Sequence, residues 1–358
     1  MKKVCLDLRF IGSKGHSGIE RYVRELSLGL TEIRTDLDLI FLVSKGIKVK
    51  LDRAEVREIP ETYFTLKQHL GFIVNNYLRD IDLYHYPHFD APLNLNKTQL
   101  VITIHDLHPL NIPNFIPKVK QLHFKLMTGL SIKRARKVIA VSNTTANDIL
   151  KHWKYAERKL VVIYEGVSSN YYPRPIDEID QVRTKYNLPE RYIFYIGNAK
   201  PHKNLARLIQ AYSRLPQDLQ GEYPLVIAGI RKNEPPFTIQ NIILPGYIDD
   251  QDLPALYSGA TLFVFPSYAE GFGLPPLEAG ACGTPSAIAR ATSLPEVMGE
   301  NAFYFDPFNV NEMRDVLLYA LNNPSTTSEI AKKAQIHAKR RTWNNVAEET
   351  ISVYRSIL

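Results

Sequence analysis

Two glutamates follow one apolar run in the second half of the chain. Glu270 and Glu278 lie in the segment PSYAEGFGLPPLEAGACG, directly after the predicted strand Thr261–Phe265. The two glycines that follow Glu270 let the backbone approach a ligand closely, and the next two prolines set the first turn of a helix, in which we expect Glu278. Carboxylates accept strong, directional hydrogen bonds from hydroxyl groups. The pair therefore suits a polyhydroxylated ligand, although either glutamate alone could be a solvated loop charge or a partner of the helix dipole.

A lysine lies at a second turn between a predicted strand and a helix. Lys203 belongs to GNAKPHKN, which separates the strand Tyr192–Ile196 from the helix Leu205–Leu215. A cation near a helix N-terminus is disfavoured by about 0.3–1 kcal/mol. An anion placed between the backbone amides and the ammonium reverses that sign. A diphosphate fits this position, and an ordinary surface lysine is the alternative.

Two further turns of the first half carry candidate residues. His105 ends the strand Leu100–Ile104, where a histidine is either a satisfied structural residue or part of a site, and Asp106 after it forms the turn. The loop IGSKGHSGIE, which includes Gly18, follows the first strand. Its three glycines do not form the dinucleotide-binding fingerprint. Taken alone they indicate a tight turn.

Short apolar runs alternate with helical patterns along the chain, which predicts parallel sheets with crossover helices. Two such series in succession predict two doubly wound α/β domains, with a boundary near Tyr171–Pro175. The predicted strands are Lys3–Phe10, Leu39–Val43, Leu83–Tyr86, Leu100–Ile104, Lys137–Val141 and Leu160–Ile163 in the first half, then Tyr192–Ile196, Pro224–Ala228, Ile242–Leu244, Thr261–Phe265 and Pro285–Ile288.

The positive charge of the chain is concentrated in its first half. Residues 1–172 carry 26 Lys and Arg against 17 Asp and Glu, whereas the remainder carries 18 against 20. The basic stretch lacks the motifs of nucleic-acid binders, so we expect no nucleic acid. Three Asp-x-Asp strings lie before strands or at a helix start, and no His/Cys cluster suits zinc, so we expect no metal. Two cysteines in apolar runs indicate a reducing, cytoplasmic location.

The glutamate pair, with seven residues between its members, resembles the E-x7-E signature of the fourth family of retaining glycosyltransferases. Other motifs resemble that family in the same order: HSGIERYVREL, VITIHDLHP, VIAVSN, VIYEGV, GNAKPHKNLARLI, LPGYIDD and TWNNVAEETISVY. The resemblance implies the GT-B architecture, in which two Rossmann-like doubly wound domains face each other across a cleft. The expected domains are residues 1–172 for the acceptor and 173–342 for the nucleotide sugar. The terminal helix, about residues 343–358, is expected to pack back on the first domain.

The resemblance also implies a role for each candidate residue. In such enzymes Glu278 holds the donor ribose, Glu270 holds sugar hydroxyls, Lys203 faces the diphosphate and His105 contacts the transferred sugar. An arginine is often found where this chain has Asn198, which leaves the second phosphate contact open between Lys200 and Arg207. The catalytic set is His105, Lys203 and Glu270. The donor-binding set is Gly18, Asn198, Lys203, Gly229, Arg231, Tyr247, Ile248, Glu270, Phe272, Gly273, Leu274 and Glu278.

The implied reaction moves a hexose, with retention of configuration, from a nucleoside diphosphate sugar to a saccharide or lipid-linked saccharide in polysaccharide synthesis. A UDP-sugar is the first expected donor and GDP-mannose the second, with the nucleotide sugar as co-substrate and no other cofactor. Relatives of this kind are bacterial glucosyl- and mannosyltransferases. A sugar phosphorylase or nucleotide-sugar epimerase of the same fold, and a non-catalytic regulator that binds sugar nucleotides, are the alternatives.

The segment PKVKQLHFKLMTGLSIKRARK predicts a basic helix with one apolar face. That face comprises Val119, Leu122, Leu126, Met127 and Leu130. Such a helix either packs its apolar face on the core or lies on an anionic membrane surface. The second reading predicts a cytoplasmic enzyme in peripheral contact with the inner face of the plasma membrane.

Overall fold

The computed structural model describes residues 1–12, 18–49, 51, 53–60, 74–95, 97–230 and 240–358 of the chain. These residues form two units, one of Met1–Gly166 with Trp343–Leu358 and the other of Val167–Thr342. The first unit thus ends at Gly166, a few residues before the boundary expected after residue 172.

The described part of the first unit contains a sheet of seven parallel strands in the order β3-β2-β1-β4-β5-β6-β7. Its strands are β1 Lys2–Asp7, β2 Leu37–Ser44, β3 Glu55–Ile59, β4 Leu83–Tyr86, β5 Gln99–Ile104, β6 Lys137–Ala140 and β7 Leu160–Val162. Its helices are α1 Gly18–Glu32, α2 Val74–Tyr77, α3 His108–Asn111, α4 Lys118–Arg134 and α5 Asn143–His152, with a 3₁₀ helix at Lys154–Lys159.

The described part of the second unit contains six parallel strands in the order β10-β9-β8-β11-β12-β13. They are β8 Ile193–Ile196, β9 Leu225–Ala228, β10 Ile242–Gly246, β11 Leu262–Phe265, β12 Ser286–Ala289 and β13 Phe303–Phe305. The helices are α6 Ile176–Tyr186, α7 Leu205–Tyr212, α8 Gln217–Glu222, α9 Leu253–Gly259, α10 Leu274–Ala281, α11 Leu294–Met298, α12 Val310–Asn322 and α13 Pro324–Lys339, with a 3₁₀ turn at Pro201–Lys203.

Both sheets reverse their strand order next to their first strand. In the first unit β1 lies between β2 and β4, and in the second unit β8 lies between β9 and β11. In open parallel sheets, ligands bind beyond the carboxyl ends of the strands at such a reversal. The loops after β1, β4, β8 and β11 are therefore the places where the fold itself favours a site.

The central strands are buried because their sequences are continuous apolar runs. The four residues of β9, LVIA, and of β11, LFVF, are all buried. A parallel strand that is covered on both faces requires such a run. At the edge of the first sheet, β3 reads EVREI and only Ile59 in it is buried.

The last helix, α14, covers Trp343–Arg355 and packs against α1 in the first unit. The two helices approach closely at Gly29, where an added Cβ would lie 2.8 Å from the carbonyl oxygen of Trp343. Further along α14, the hydroxyl of the buried Tyr354 lies 2.7 Å from Nδ1 of His85 in β4. A side chain at residue 29 would force these helices apart.

Candidate active site

The loop between β11 and α10 is held in place by two residues that precede α11. The backbone amide of Glu270 donates to Oγ1 of Thr292 at 3.0 Å. The Oγ atom of Ser293 lies 3.0 Å from the carbonyl oxygen of Glu270 and 2.8 Å from that of Phe272. These hydrogen bonds fix the backbone position of Glu270, the first glutamate of the pair.

The start of α10 depends on Gly273. Its φ is +100°, and an added Cβ would lie 2.5 Å from Cδ2 of Leu294. Only glycine adopts this backbone at low cost and fits beside the leucine. The helix therefore begins at Leu274, the residue before the two prolines. The predicted donor-binding residues Phe272, Gly273 and Leu274 thus form the turn into α10.

Glu278 is the fifth residue of α10, so the expectation that it lies in the first turn is wrong. The prolines occupy the second and third positions of the helix, which moves the glutamate one residue further, to the start of the second turn. Its side chain is buried, and its Oε2 accepts a hydrogen bond from the hydroxyl of Tyr257 at 3.2 Å. Buried charges in proteins are usually paired or hydrogen-bonded. The tyrosine contact, rather than the helix dipole, is the stabilising feature that the structure shows.

The structure brings Lys203 and Glu270 together. Lys203 ends the 3₁₀ turn Pro201–Lys203, two positions before α7, and its Nζ lies 2.6 Å from Oε1 of Glu270. The ammonium also lies 5.3 Å from the ring centroid of Phe265. The two side chains are only 18% and 12% exposed. A sparsely hydrated cation and a carboxylate are thus in place at the strand reversal between β8 and β11.

Asn204 joins the loops around this pair, and the sequence analysis assigned it no role. Its backbone is left-handed, with φ +61°, and its side chain is buried. Its Nδ2 donates to the carbonyl oxygens of Pro266 at 3.1 Å and Pro307 at 2.7 Å, and its Oδ1 accepts from Arg207 at 2.9 Å. Arg207 thus supports the loop, which lessens its suitability as a second phosphate ligand.

The remaining donor-binding candidates lie on neighbouring loops of the second sheet. The side chain of Asn198 accepts from the backbone amide of Lys200 at 3.2 Å, so it stabilises its own loop. Gly229 follows β9, and after β10 Tyr247 is exposed whereas Ile248 is buried. The predicted site residue Arg231 lies outside the described residues.

His105 follows β5 in the first unit and is held on three sides. Its Nδ1 lies 3.2 Å from Oε1 of Glu165, its Nε2 lies 3.2 Å from the carbonyl oxygen of Pro87, and its own carbonyl accepts from Oγ1 of Thr145 at 3.2 Å. The ring of Tyr22 meets it edge-on at 4.8 Å. Gly18 is the first residue of α1 in the same unit.

Two carboxylates at this edge of the first sheet were not among the residues predicted from the sequence. Glu165 lies in the VIYEGV motif, two residues after the predicted strand Leu160–Ile163, and its position at a strand end was the available signal. Asp90 follows β4 and is buried, with its Oδ1 2.5 Å from Nδ1 of His88. Both acids pair with a histidine at the carboxyl end of a parallel strand.

The Asp-x-Asp strings take part in ion pairs. Asp36 pairs with Arg355, Asp80 with Arg57 and Asp252 with Lys185. Across the ranges that the structure covers, no three His, Cys, Asp or Glu side chains are grouped to hold a metal ion.

The basic helix α4 has an exposed apolar stripe. Phe124, Met127 and Ile132 are buried in the unit, so assigning Met127 to the same face as the leucines was wrong. The stripe comprises Val119, Leu122, Leu126 and Leu130, which are 82%, 58%, 57% and 45% exposed. These residues are three or four positions apart and therefore lie on one side of the helix. The alternative that this stripe packs on the core of its unit is thereby excluded.

Comparisons with family models and with known proteins all identify glycosyltransferases. A model described as Glycosyltransferase Family 4 matches residues 16–171, and one described as Glycosyl transferases group 1 matches residues 177–337. The chain is 34% identical over 283 residues to O-antigen chain mannosyltransferase B of Escherichia coli, with 76% of this chain and 74% of that protein covered.

Two further similarities extend the comparison. The chain is 32% identical over 272 residues to the serotype-specific mannosyltransferase WbdA of Escherichia coli, which covers 72% of this chain but only 33% of WbdA. The solved structure of Alr3699/HepE from Anabaena, in complex with UDP-glucose, superposes with a TM-score of 0.79 at 18% identity over 99% of this chain and 100% of that one. The two parallel α/β units therefore have the GT-B fold, which confirms the expected fold class.

Proposed function

Because the chain belongs to glycosyltransferase family 4, we propose that it transfers a mannosyl residue from a nucleoside diphosphate sugar to a saccharide during polysaccharide assembly, with retention of configuration. The names of the relatives, an O-antigen chain mannosyltransferase and a serotype-specific mannosyltransferase, support the sugar and the pathway class. The observation that carries the proposal is the preformed Lys203–Glu270 pair at a strand reversal, with the buried Glu278 in the helix that follows.

Each group in this site has a proposed task. Lys203 and the backbone amides at the start of α7 stabilise the leaving diphosphate, because both present positive charge. Glu270 accepts hydrogen bonds from hydroxyls of the transferred sugar, and Glu278 accepts them from the ribose. His105 and Gly18 of the first unit are the proposed contacts to the transferred sugar and the donor phosphates.

The proposed chemistry depends on positioning and not on a carboxylate nucleophile. The bond between the anomeric carbon and the diphosphate oxygen breaks as the acceptor oxygen attacks from the same face. The acceptor proton moves to the departing diphosphate, so the product keeps the anomeric configuration of the donor. Such a reaction depends on orientation and on charges placed where the leaving group develops its own. No metal ion is needed in this scheme, because Lys203 and the helix amides face the diphosphate.

The donor test uses purified protein, a panel of donors and short mannose oligosaccharides as acceptors. We expect acceptor-dependent release of GDP from GDP-mannose, or of UDP from a UDP-sugar, and expect it to persist with excess EDTA. Phosphate-dependent cleavage of a saccharide without any nucleotide would instead identify a phosphorylase. Conversion of the donor into an isomer would identify an epimerase, and donor binding without turnover a regulator. Any of these three outcomes would contradict the proposal.

We further propose that the stripe on α4 contacts an anionic bilayer, as a lipid-linked acceptor would require. The exposed lysines Lys118, Lys125 and Lys133 lie on the same helix as the leucines, and this charge favours an anionic surface. Within the described ranges no helix combines the length and apolarity that crossing a membrane requires. The mode of attachment that we propose is surface contact through the exposed leucines and lysines of α4.

A flotation experiment tests the membrane contact. Wild-type protein should float with vesicles that contain anionic phosphatidylglycerol at low salt, and the double variant Leu122→Ser/Leu126→Ser should not. The matched control is Ile336→Ser, because Ile336 on α13 is 56% exposed, much like the two leucines. Equal flotation of all three proteins, or no flotation of the wild type, would exclude α4 as the contact.

A further inference from the structure

Both ring nitrogens of His105 face an oxygen atom that can accept a hydrogen bond. Nδ1 faces a carboxylate oxygen of Glu165 and Nε2 faces the carbonyl oxygen of Pro87, each at 3.2 Å. A carbonyl and an ionised carboxylate only accept hydrogen bonds, whereas a neutral imidazole has a single N–H to donate. Both contacts are therefore satisfied when the ring has two N–H groups and is an imidazolium.

The neighbouring His85 shows the opposite arrangement. Its Nδ1 lies 2.7 Å from the hydroxyl of Tyr354, and its Nε2 lies 2.8 Å from the hydroxyl of Thr103. A hydroxyl can donate or accept, so a neutral ring satisfies both contacts. Burial and the nearby His105 lower the pKa of His85 to about 3. Of these two histidines, only His105 faces a carboxylate and a carbonyl, which both act as acceptors when Glu165 is ionised.

Four ionisable groups lie around His105, and one of them must balance the positive charge of the imidazolium. Tyr22 of α1 meets the ring edge-on, and burial raises the pKa of its hydroxyl, which keeps it neutral. His85 of β4 is neutral, and Asp106 accepts a hydrogen bond from its own turn at 3.0 Å. Glu165, which follows β7 and is almost fully buried, is left as the anion in contact with the imidazolium.

We propose that Glu165 is a positioning residue of the transfer reaction, which holds His105 as an imidazolium with a fixed ring and a fixed main-chain carbonyl. This inference rests on the proposed function, because it assumes that His105 contacts the transferred sugar. The pair is neutral overall, so it puts no net charge beside a sugar that becomes positive in the transition state. The third contact, from Thr145 to the carbonyl of His105, fixes the backbone.

Two substitutions separate the charge from the hydrogen bonds. In Glu165→Gln the amide nitrogen can donate to Nδ1 of a neutral ring whose Nε2–H still bonds to Pro87, so the contacts persist while the charge pair is lost. In Glu165→Ala both are lost. We expect kcat to fall about tenfold in the glutamine variant and about 10²-fold in the alanine variant, the cost of an angstrom-scale misplacement. The KM for the donor should change less than kcat.

The proton itself is observed by long-range ¹H–¹⁵N correlation spectra of the histidine rings, with His105→Gln to assign the signals. In the wild type at about pH 7.5, where a free imidazole is neutral, both ring nitrogens of His105 should have shifts of N–H type. In Glu165→Gln, Nδ1 should shift to the lone-pair type. Glu157→Gln, an exposed carboxylate that precedes the same strand, is the matched control and should change neither the spectrum nor kcat.

The outcomes distinguish this inference from the proposed function. Wild-type kcat in His105→Ala would refute the contact of His105 with the transferred sugar, on which this inference depends, whereas a wild-type protein that transfers no sugar from any nucleotide donor would refute the proposed function. An inactive His105→Ala together with unchanged kcat in both Glu165 variants would refute the positioning role alone. A lone-pair nitrogen on His105 in the wild type would refute the imidazolium. Should Glu165→Ala fail to fold, the isosteric glutamine variant decides the question by both kcat and spectrum.

Discussion

The ion pair between Lys203 and Glu270 allows the donor site to be perturbed in a defined way. At an effective dielectric constant of about 20, two unit charges 4 Å apart attract by about 4 kcal/mol. Desolvation of both groups reduces this value. Removing Lys203 has two effects in our scheme, because it takes a cation from the diphosphate and leaves Glu270 negative beside it. Removing Glu270 takes hydrogen bonds from the sugar but leaves the cation in place.

The two effects predict unequal and non-additive losses. We expect Lys203→Ala to lower kcat/KM by about 10²-fold, about 2.7 kcal/mol, and Glu270→Ala by at least about tenfold, about 1.4 kcal/mol. The double variant should lose less than the product of the two, since removing Glu270 also removes its repulsion of the diphosphate. Residues in contact typically show such coupling at about 0.5–3 kcal/mol.

The assay is the initial rate of nucleoside diphosphate release, measured for the wild type, the two single variants and the double variant. Thermal denaturation shows that each protein is folded under the assay conditions. Lys185→Ala is the matched control, because its half-exposed ammonium also lies 2.6 Å from a carboxylate, that of Asp252, in the same unit. It should retain the wild-type rate. Strict additivity would refute the coupling argument, and unchanged turnover in both single variants would refute the site.

Three further predictions concern stability. Gly273→Ala should lower the free energy of unfolding by about 1–3 kcal/mol, measured by denaturant titration, because the left-handed backbone and the contact with Leu294 both oppose a Cβ. Tyr257→Phe should lower the free energy of unfolding by about 1–3 kcal/mol in the same titration, because the buried Glu278 loses a hydrogen-bond donor. Bound nucleotide sugar should restore part of this loss. An unchanged denaturation midpoint would mean that this hydrogen bond contributes nothing. The pKa of His85 falls from 6.5 to about 3 on folding. Between these two pH values only the unfolded chain protonates this histidine, so the free energy of unfolding should decline as the pH falls from 6.5 to about 3. His85→Gln should make the decline less steep, and an unchanged slope would contradict this account.

The central strands were predictable because parallel strands covered on both faces must be continuous apolar runs. The edge strand β3 was not, since three of the five residues of EVREI are charged and the strand is held by contacts such as the ion pair of Arg57 with Asp80. The short strand β13, Phe303–Phe305, was also missed, and it lies beside β12 at the end of the strand order that the structure describes.

The site was predictable where its residues form a local pattern, and not where they come from distant segments. The glutamates, prolines and glycines around α10 are contiguous, yet the helical position expected for Glu278 was wrong by one residue because the helix begins at Leu274, before the prolines. Glu165 is 60 residues from His105 in the chain and Asn204 is 62 residues from Pro266. No local pattern indicates contacts of that kind, which arise from the order of strands in the sheets.

The anomeric configuration of the product tests the central claim most directly. The measurement is the one-bond ¹³C–¹H coupling at the new linkage, recorded by NMR on product made from an α-configured donor such as GDP-mannose in the presence of EDTA. The account predicts an α-linked product, because the acceptor enters on the face that the diphosphate leaves. A β-linked product would contradict it.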